Sequence, residues 1–172
     1  LYNVRAEQEK DILEIRKVND LAFGQENEAN LIEAIRCSEY FVPGLSLVAE
    51  TDAHEVIGHI LFSVITIETK NGPIQSLALA PLAVKPEYQN QGIGSTLVKE
   101  GLKRCRELGH GPVVVLGHSE YYPKFGFIRA SENGIKPPFE VSDENFMIYE
   151  VKPGALNNIE GTVFYPEAFT DV

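Results

Sequence analysis

Gln89-Asn90-Gln91-Gly92-Ile93-Gly94 stands between a segment that reads as a strand and one that reads as a helix. Before it, Leu77-Ala78-Leu79-Ala80-Pro81-Leu82-Ala83-Val84 is an apolar run suited to a buried strand, and Lys85-Pro86 ends it because proline brings no N–H to a sheet ladder. After it, Ile93, Leu97, Val98, Gly101, Leu102, Cys105 and Leu108 share one helical face, while Lys99, Glu100, Lys103, Arg104, Arg106 and Glu107 share the other. Gly109 is a natural stop. Strand, glycine turn and helix together form an anion seat. First-turn N–H groups have no partner within their helix, and the helix dipole adds positive potential there. With Gly92 and Gly94, no side chain keeps a phosphate or pyrophosphate off that backbone.

Gln89-x-x-Gly92-x-Gly94 matches the Q/R-x-x-G-x-G/A signature of the GNAT superfamily of N-acetyltransferases, and the stretch from Leu82 through Gly94 resembles that family's acetyl-CoA motif nearly position for position. A second match lies downstream, where Tyr122-x-x-Phe125-Gly126-Phe127 resembles the family's Y-x-K-x-G-F segment. The matches run from about Leu77 to Phe127, and the resemblance is nearest to bacterial members that carry Tyr-Tyr-x-x-Phe-Gly-Phe. It implies an α/β fold (α+β mixed sheet): a central, mostly antiparallel sheet with a splayed parallel strand pair, flanked by helices. It also implies acetyl-CoA as cosubstrate, and a primary amine that takes the acetyl group by direct transfer.

The flanking sequence agrees with that order of elements. Asn3-Val4-Arg5 reads as an opening strand. A helix follows from about Glu9 to Phe23, with Ile12, Ile15, Asn19 and Ala22 as its stripe and Gly24 as its break. A second helix, about Glu28 to Cys37, turns Leu31, Ile32 and Ile35 inward and is capped by Asn27. In the family these helices line the acceptor site, which makes Gln25, Glu26, Glu28 and Glu33 candidates to meet an amine. A solvated helix face accounts for the same charges more simply. Leu45–Glu50 and Val56–Thr69 read as a hairpin across a polar turn, and Asn71-Gly72 turns the chain into the strand Ile74–Val84. Pro112–Gly117 is a buried strand parallel to Ile74–Val84, because a helix joins the two. Ser119 is placed to cap a short helix that Gly126 ends. Asn145–Val151 is a late strand, and Phe164, Tyr165 and Phe169 dock the tail on the core.

The whole is expected to be one domain over residues 1–172. Its net charge of −10 argues against a nucleic-acid surface and mildly favours a cationic or neutral acceptor. The chain shows no membrane-spanning run and no signal-peptide pattern at its start. Cys37 and Cys105 form no C-x-x-C pair and suit reduced thiols. A cytoplasmic enzyme, monomer or homodimer, is the expectation.

The resemblance assigns the chemistry. Backbone N–H groups across Gln91, Gly92, Ile93, Gly94 and Ser95 would hold the pyrophosphate, with Gln89 and Asn90 of the signature also counted among the cofactor-binding residues. The pantetheine arm would pair with Leu82, Ala83 and Val84, between the splayed strands, and Pro81 would mark a bulge there. His118 and Ser119 would stand in for the asparagine that many members place after the second strand. Tyr122 matches the tyrosine that gives its proton to the departing thiolate, whereas Tyr121 suits packing. The base is left open among Glu50, Glu120, a helix carboxylate, His118 and a water relay, because Ser76–Val84 carries neither carboxylate nor histidine. That gap keeps a second reading in play: a GNAT fold that binds CoA or a protein without turnover. His54, His59 and His110 have no partner spacing, and no metal site is expected. Dinucleotide redox chemistry fails, because G-x-G-x-x-G would require glycine where Leu97 stands.

Overall fold

A computed structural model describes residues 1–170. By their internal contacts these residues divide into two compact units. The first holds Leu1–Ser63, Ala80–Arg104 and the segment from Glu167; the second holds Val64–Leu79 and Cys105–Pro166.

In the first unit β1 (Tyr2–Ala6) pairs antiparallel with β2 (Phe41–Thr51), and β2 with the first half of β3 (Val56–Thr69). The expected hairpin is therefore present, and β2 is longer than Leu45–Glu50. Helices α1 (Ile12–Phe23) and α2 (Asn27–Arg36) bury Ile15, Val18, Leu31, Ile32 and Ile35 against Val48, Val56, Leu61 and Ala83, with Phe169 packed on this cluster. Gly24, at φ +67°, ends α1 and returns its N–H to Asp20 O. Asn27 is the first residue of α2 rather than its cap; Glu26 holds the cap position.

Helix α3 (Ile93–Glu107) buries the face read from its sequence, from Ile93 to Cys105. Its seat depends on small residues. A Cβ at Gly58 would lie 3.1 Å from Leu97 Cδ1 and 3.2 Å from Ile93 Cγ2. A Cβ at Gly101 would run into the ring of Phe62. Leu108 departs from the expected stripe. It lies past the helix end and is half exposed, because the Gly109 turn (φ +79°) carries it off the apolar face.

In the second unit the later half of β3 and the early half of β4 (Gly72–Val84) lead to β5 (Val113–Leu116). β4 and β5 pair in parallel, Leu77 with Val113 and Ala78 with Val114. β5 pairs antiparallel with β8 (Phe146–Tyr149), and β8 with the two-residue β6 (Ile128–Arg129). β9 (Gly161–Phe164) pairs with Thr66–Thr69 of β3 and, in parallel, with β7 (Ile135–Lys136). The sheet is thus mostly antiparallel, as expected. Within β9 alternation buries Val163 and turns Phe164 outward, so Phe164 is exposed rather than docked; Tyr165 stacks on Phe139 at 5.9 Å between centroids.

One buried polar chain runs through the first unit. His59 is fully buried on β3, with Nε2 2.9 Å from Ser46 Oγ and Nδ1 3.4 Å from Asn19 Nδ2. Ser46 donates a short hydrogen bond to Glu7, and Arg36 closes the chain on Glu7 through Nε and Nη2 at 3.0 Å each. With the Ser46 proton on Glu7 and the Asn19 amide donating to Nδ1, the neutral ring carries its proton on Nε2. Burial, then the charge of Arg36, lowers the His59 pKa from 6.5 to about 3. Between those two values the unfolded chain binds a proton that the native state refuses. Stability is therefore full above pH 6.5 and falls as pH drops toward 3. Asp11 and Glu50, both lowered chiefly by hydrogen bonds from Arg5, begin to lose their stabilising contribution only as pH falls below their ordinary values of 3.8 and 4.5, after the loss from His59 has started. Denaturant unfolding from pH 6.5 to 5 should accordingly lose up to about 1.4 kcal/mol per pH unit. A folded His59→Gln variant should lose that slope, and an unchanged slope would assign it to another group.

Candidate functional site

The residues singled out in the sequence fall into two sets, one in each unit. In the first, β4 ends at Val84, and Pro86–Tyr88 form a single 3-10 turn that leads into the signature loop. Alternation buries the side chain of Ala83 in the core and leaves Leu82 and Val84 half-buried. β4 passes through Pro81 without a break, by a cis Ala80–Pro81 peptide. Lys85 fixes the base of the turn: its N–H donates to Ile57 O at 2.9 Å, and its buried ammonium meets Glu55 at 3.0 Å. Tyr88 donates its hydroxyl to the other oxygen of Glu55 at 3.2 Å.

The loop itself is shaped by two left-handed residues, Asn90 (φ +63°) and Gly92 (φ +84°). Gly92 has open space where a side chain would begin, so its glycine answers to backbone conformation rather than to packing. Gly94 lies inside α3 and has no positive φ. Gln89 donates its amide to Val84 O at 3.0 Å, and Gln91 donates its own to Glu87 O at 3.3 Å. The signature glutamine therefore ties the loop to the end of the strand. Tyr2 joins the same region, donating to Thr96 Oγ1 at 2.8 Å, while Thr96 donates to Gly92 O at 3.0 Å. Tyr2 has no signal in a local reading, since its partner stands 94 residues away. Ile93 is buried, and Gly94 and Ser95 are half-buried at the head of α3.

In the second unit β5 runs out at Leu116, and Gly117 donates its N–H to Asn145 O at 2.9 Å. His118 O then accepts from the N–H groups of Tyr121 and Tyr122, at 3.1 and 3.4 Å. A 3-10 helix spans Tyr122–Phe125 and ends at Gly126, φ +103°. Its cap position is Tyr121, so Ser119 lies too far upstream to cap it. Asn145 shares a cleft of about 420 Å³ with His118, Ser119, Glu120 and Tyr121. Sequence reasoning put Asn145 at the start of a late strand but did not bring it beside His118. The available signal was strand pairing: a late strand antiparallel to β5 must begin where β5 ends.

The ring of Tyr122 is buried, edge-on to Tyr121 (5.1 Å, 88°) and to Phe127 (5.6 Å, 72°). Burial pushes its pKa upward, and the neighbouring Tyr121 adds to the shift. The phenol therefore stays protonated across the physiological range. Tyr121 is less buried and carries Lys124 Nζ 4.5 Å over its ring, which fits packing.

The candidate bases fare unequally. Glu50 is held by Arg5 through contacts of 3.2 and 3.0 Å, and its pKa is lowered by that pairing. Glu33 pairs with Arg16 at 2.9 Å, with Glu26 3.7 Å from the same guanidinium, and Glu28 accepts from Gln25 at 3.0 Å. His118 and Glu120 are exposed.

The sequence model of the Acetyltransferase (GNAT) family matches residues 12–127. The chain belongs to the GNAT acetyltransferase family. It is 39% identical to the uncharacterized N-acetyltransferase YjhQ of Escherichia coli K12, over 78% of this chain and 75% of that one. Among solved structures, the GNAT N-acetyltransferase YhbS of Escherichia coli in complex with CoA superposes with a TM-score of 0.91 at 31% identity, covering 98% of this chain and 92% of that one. A GNAT acetyltransferase of Brucella melitensis in complex with acetyl-CoA gives 0.80 at 31% identity, covering 98% of each. The GNAT architecture, its parallel strand pair and the acyltransferase class follow from that membership. Among the described residues no helix is long and apolar enough to cross a membrane.

The Gln89 tether is directly testable. Gln89→Ala removes one side-chain hydrogen bond, a loss of about 0.5–1.5 kcal/mol to the order of this loop. Amide exchange at Tyr88–Gly92 should quicken by about 2- to 10-fold while β2 and β3 keep their protection. Unchanged exchange in the loop would show that the bond does not hold it.

Proposed function

We propose that this chain moves an acetyl group from acetyl-CoA to a primary amine by direct transfer, with Tyr122 as general acid, and that residues 1–172 act as one acetyltransferase domain. One observation carries the proposal: the loop Gln89–Gly94 opens α3 with a left-handed glycine at its turn. Relatives of this fold at 31% identity were crystallised with CoA and acetyl-CoA. In this reading the N–H groups at the head of α3 donate to the pyrophosphate oxygens, and Leu82 to Val84 offer backbone to the pantetheine arm. The neutral amine attacks the thioester carbonyl, the C–N bond forms and the C–S bond breaks. Tyr122 gives its proton to the thiolate, and the amine proton leaves to a base or to water. A reducing, cytoplasmic setting suits the unpaired Cys37 and Cys105.

Gly92→Val places a β-branched residue at φ +84°, where the backbone would meet the pyrophosphate. Calorimetry should show acetyl-CoA binding weakened by at least about tenfold, the equivalent of about 1.4 kcal/mol. Normal affinity in a folded Gly92→Val protein would count against the assignment of the loop.

Tyr122→Phe keeps the ring and deletes the hydroxyl. Its kcat should fall by about 10²–10⁴-fold with near-normal acetyl-CoA affinity and Tm, while Tyr121→Phe should be nearly silent. Single-turnover acetyl transfer to an accepted amine is the measurement. A Tyr122→Phe enzyme at wild-type rate, with chemistry limiting, would rule out the acid. CoA binding without transfer to any amine, in wild type and variant alike, would favour the non-catalytic binding module, a reading that the locked Glu50 keeps open.

A further inference from the structure

Gly117, at the end of β5, is a glycine for reasons of space. It is not among the residues at positive φ, so its backbone conformation makes no demand for glycine. What demands it is Tyr122. A Cβ on residue 117 would collide with ring carbon Cε2, stand 2.9 Å from Cδ2 and lie 3.5 Å from Cζ. The ring has little room to retreat, since the edges of Tyr121 and Phe127 bound it. Phe127 is itself packed on Tyr149 at 5.4 Å, and the Tyr149 hydroxyl accepts from Arg106 Nη2 at 3.0 Å. Gly117 is also fixed from its other side by its hydrogen bond to Asn145 O.

We propose that Gly117 is a positioning residue for acetyl transfer: by lacking a side chain it sets where the Tyr122 ring lies, and so where the phenolic hydroxyl is delivered. The proposal rests on the reading of Tyr122 as general acid. An alanine at 117 must move the ring by roughly 1 Å, a displacement that costs on the order of 10²-fold when it misplaces a reacting group. Tyr122→Phe leaves the same ring against the same alanine. The steric damage is then common to both backgrounds, and only the loss carried by the hydroxyl differs.

The test compares wild type, Gly117→Ala, Tyr122→Phe and the double variant, each measured for kcat, KM for acetyl-CoA and Tm. Gly117→Ala alone should lower kcat by about 10²-fold with KM little changed. In the Tyr122→Phe background the same substitution should change kcat by no more than about 2-fold, the spread expected of independent effects, although Tm falls equally in both backgrounds. An equal kcat loss in both backgrounds, or none in either, overturns the positioning role. If Tyr122→Phe is itself at wild-type rate, the general-acid reading fails and takes this proposal with it; a slow Tyr122→Phe enzyme with an additive Gly117 effect sinks the positioning role alone. Should Gly117→Ala not fold, Phe127→Leu loosens the same ring from another wall and takes its place in the cycle, with the same outcomes deciding.

Discussion

A helix offers its first turn to an anion usefully only if the helix is held at a fixed place on its sheet. Here α3 is held by two absent side chains. Gly58 lets Ile93 and Leu97 settle onto β3, and Gly101 admits the ring of Phe62. An alanine at 101 would meet that ring, and overpacking a closed core costs about 1–3 kcal/mol. The signature loop then has a rigid strand end behind it and a rigid helix ahead. Gln89 spans the gap with one amide hydrogen bond to Val84 O. The residue that looks most like a ligand contact in the motif thus does local structural work.

The parts legible in the sequence were those specified by local pattern. The apolar face from Ile93 to Cys105, the Asn71-Gly72 turn, the hairpin from Leu45 to Thr69 and the parallel partnership of β4 with β5 all follow from periodicity, turn chemistry or connection rules. The parts that were not legible depend on residues far apart in the chain. Leu108 continues the helical spacing, yet the Gly109 turn removes it from the face. Phe164 is apolar, yet the pairing of β9 with β3 decides which side it takes. Asn27 and Ser119 have the right chemistry for caps and the wrong backbone position, because the helices begin at Asn27 itself and at Tyr122. His59 carries no spacing signal, since Ser46 and Asn19 reach it from another strand and a helix.

Charge pairing explains why the base stayed open in the sequence and why the fold narrows it. Acidic residues outnumber basic ones 25 to 15, so composition suggests many available carboxylates. Tertiary structure withdraws several of them. Arg5 holds both Asp11 and Glu50, Arg36 holds Glu7, Lys85 holds Glu55 and Arg16 holds Glu33. Where such pairs are exposed, as with Arg16 and Glu33, they add little stability. Their effect on reactivity is larger in kind: a carboxylate whose pKa is lowered by a guanidinium, as at Glu50, is a weak proton acceptor. His59, neutral and buried, accepts no proton near neutrality. His118 and Glu120 keep their exposure and share one cleft.

The proposed acid poses a thermodynamic question that burial answers. A phenol near its ordinary pKa of about 10 is a weaker acid than a thiol near about 8.5, so in water the proton would pass to a thiolate only uphill. Tyr122 is raised further still, chiefly by desolvation. Desolvation acts on the partner as well. A thiolate formed against the same apolar surroundings is destabilised in the same direction, and its basicity rises with that of the phenolate. For the proposed step what matters is then the difference between two shifted groups, together with a proton that this reading would place at the sulfur as charge develops. A group that never ionises at working pH is always loaded for that step, and its efficiency depends on placement. With Tyr122 as the proposed acid, the packing around it, from Gly117 on one wall to Phe127 on another, would bear on the chemistry as directly as its pKa does.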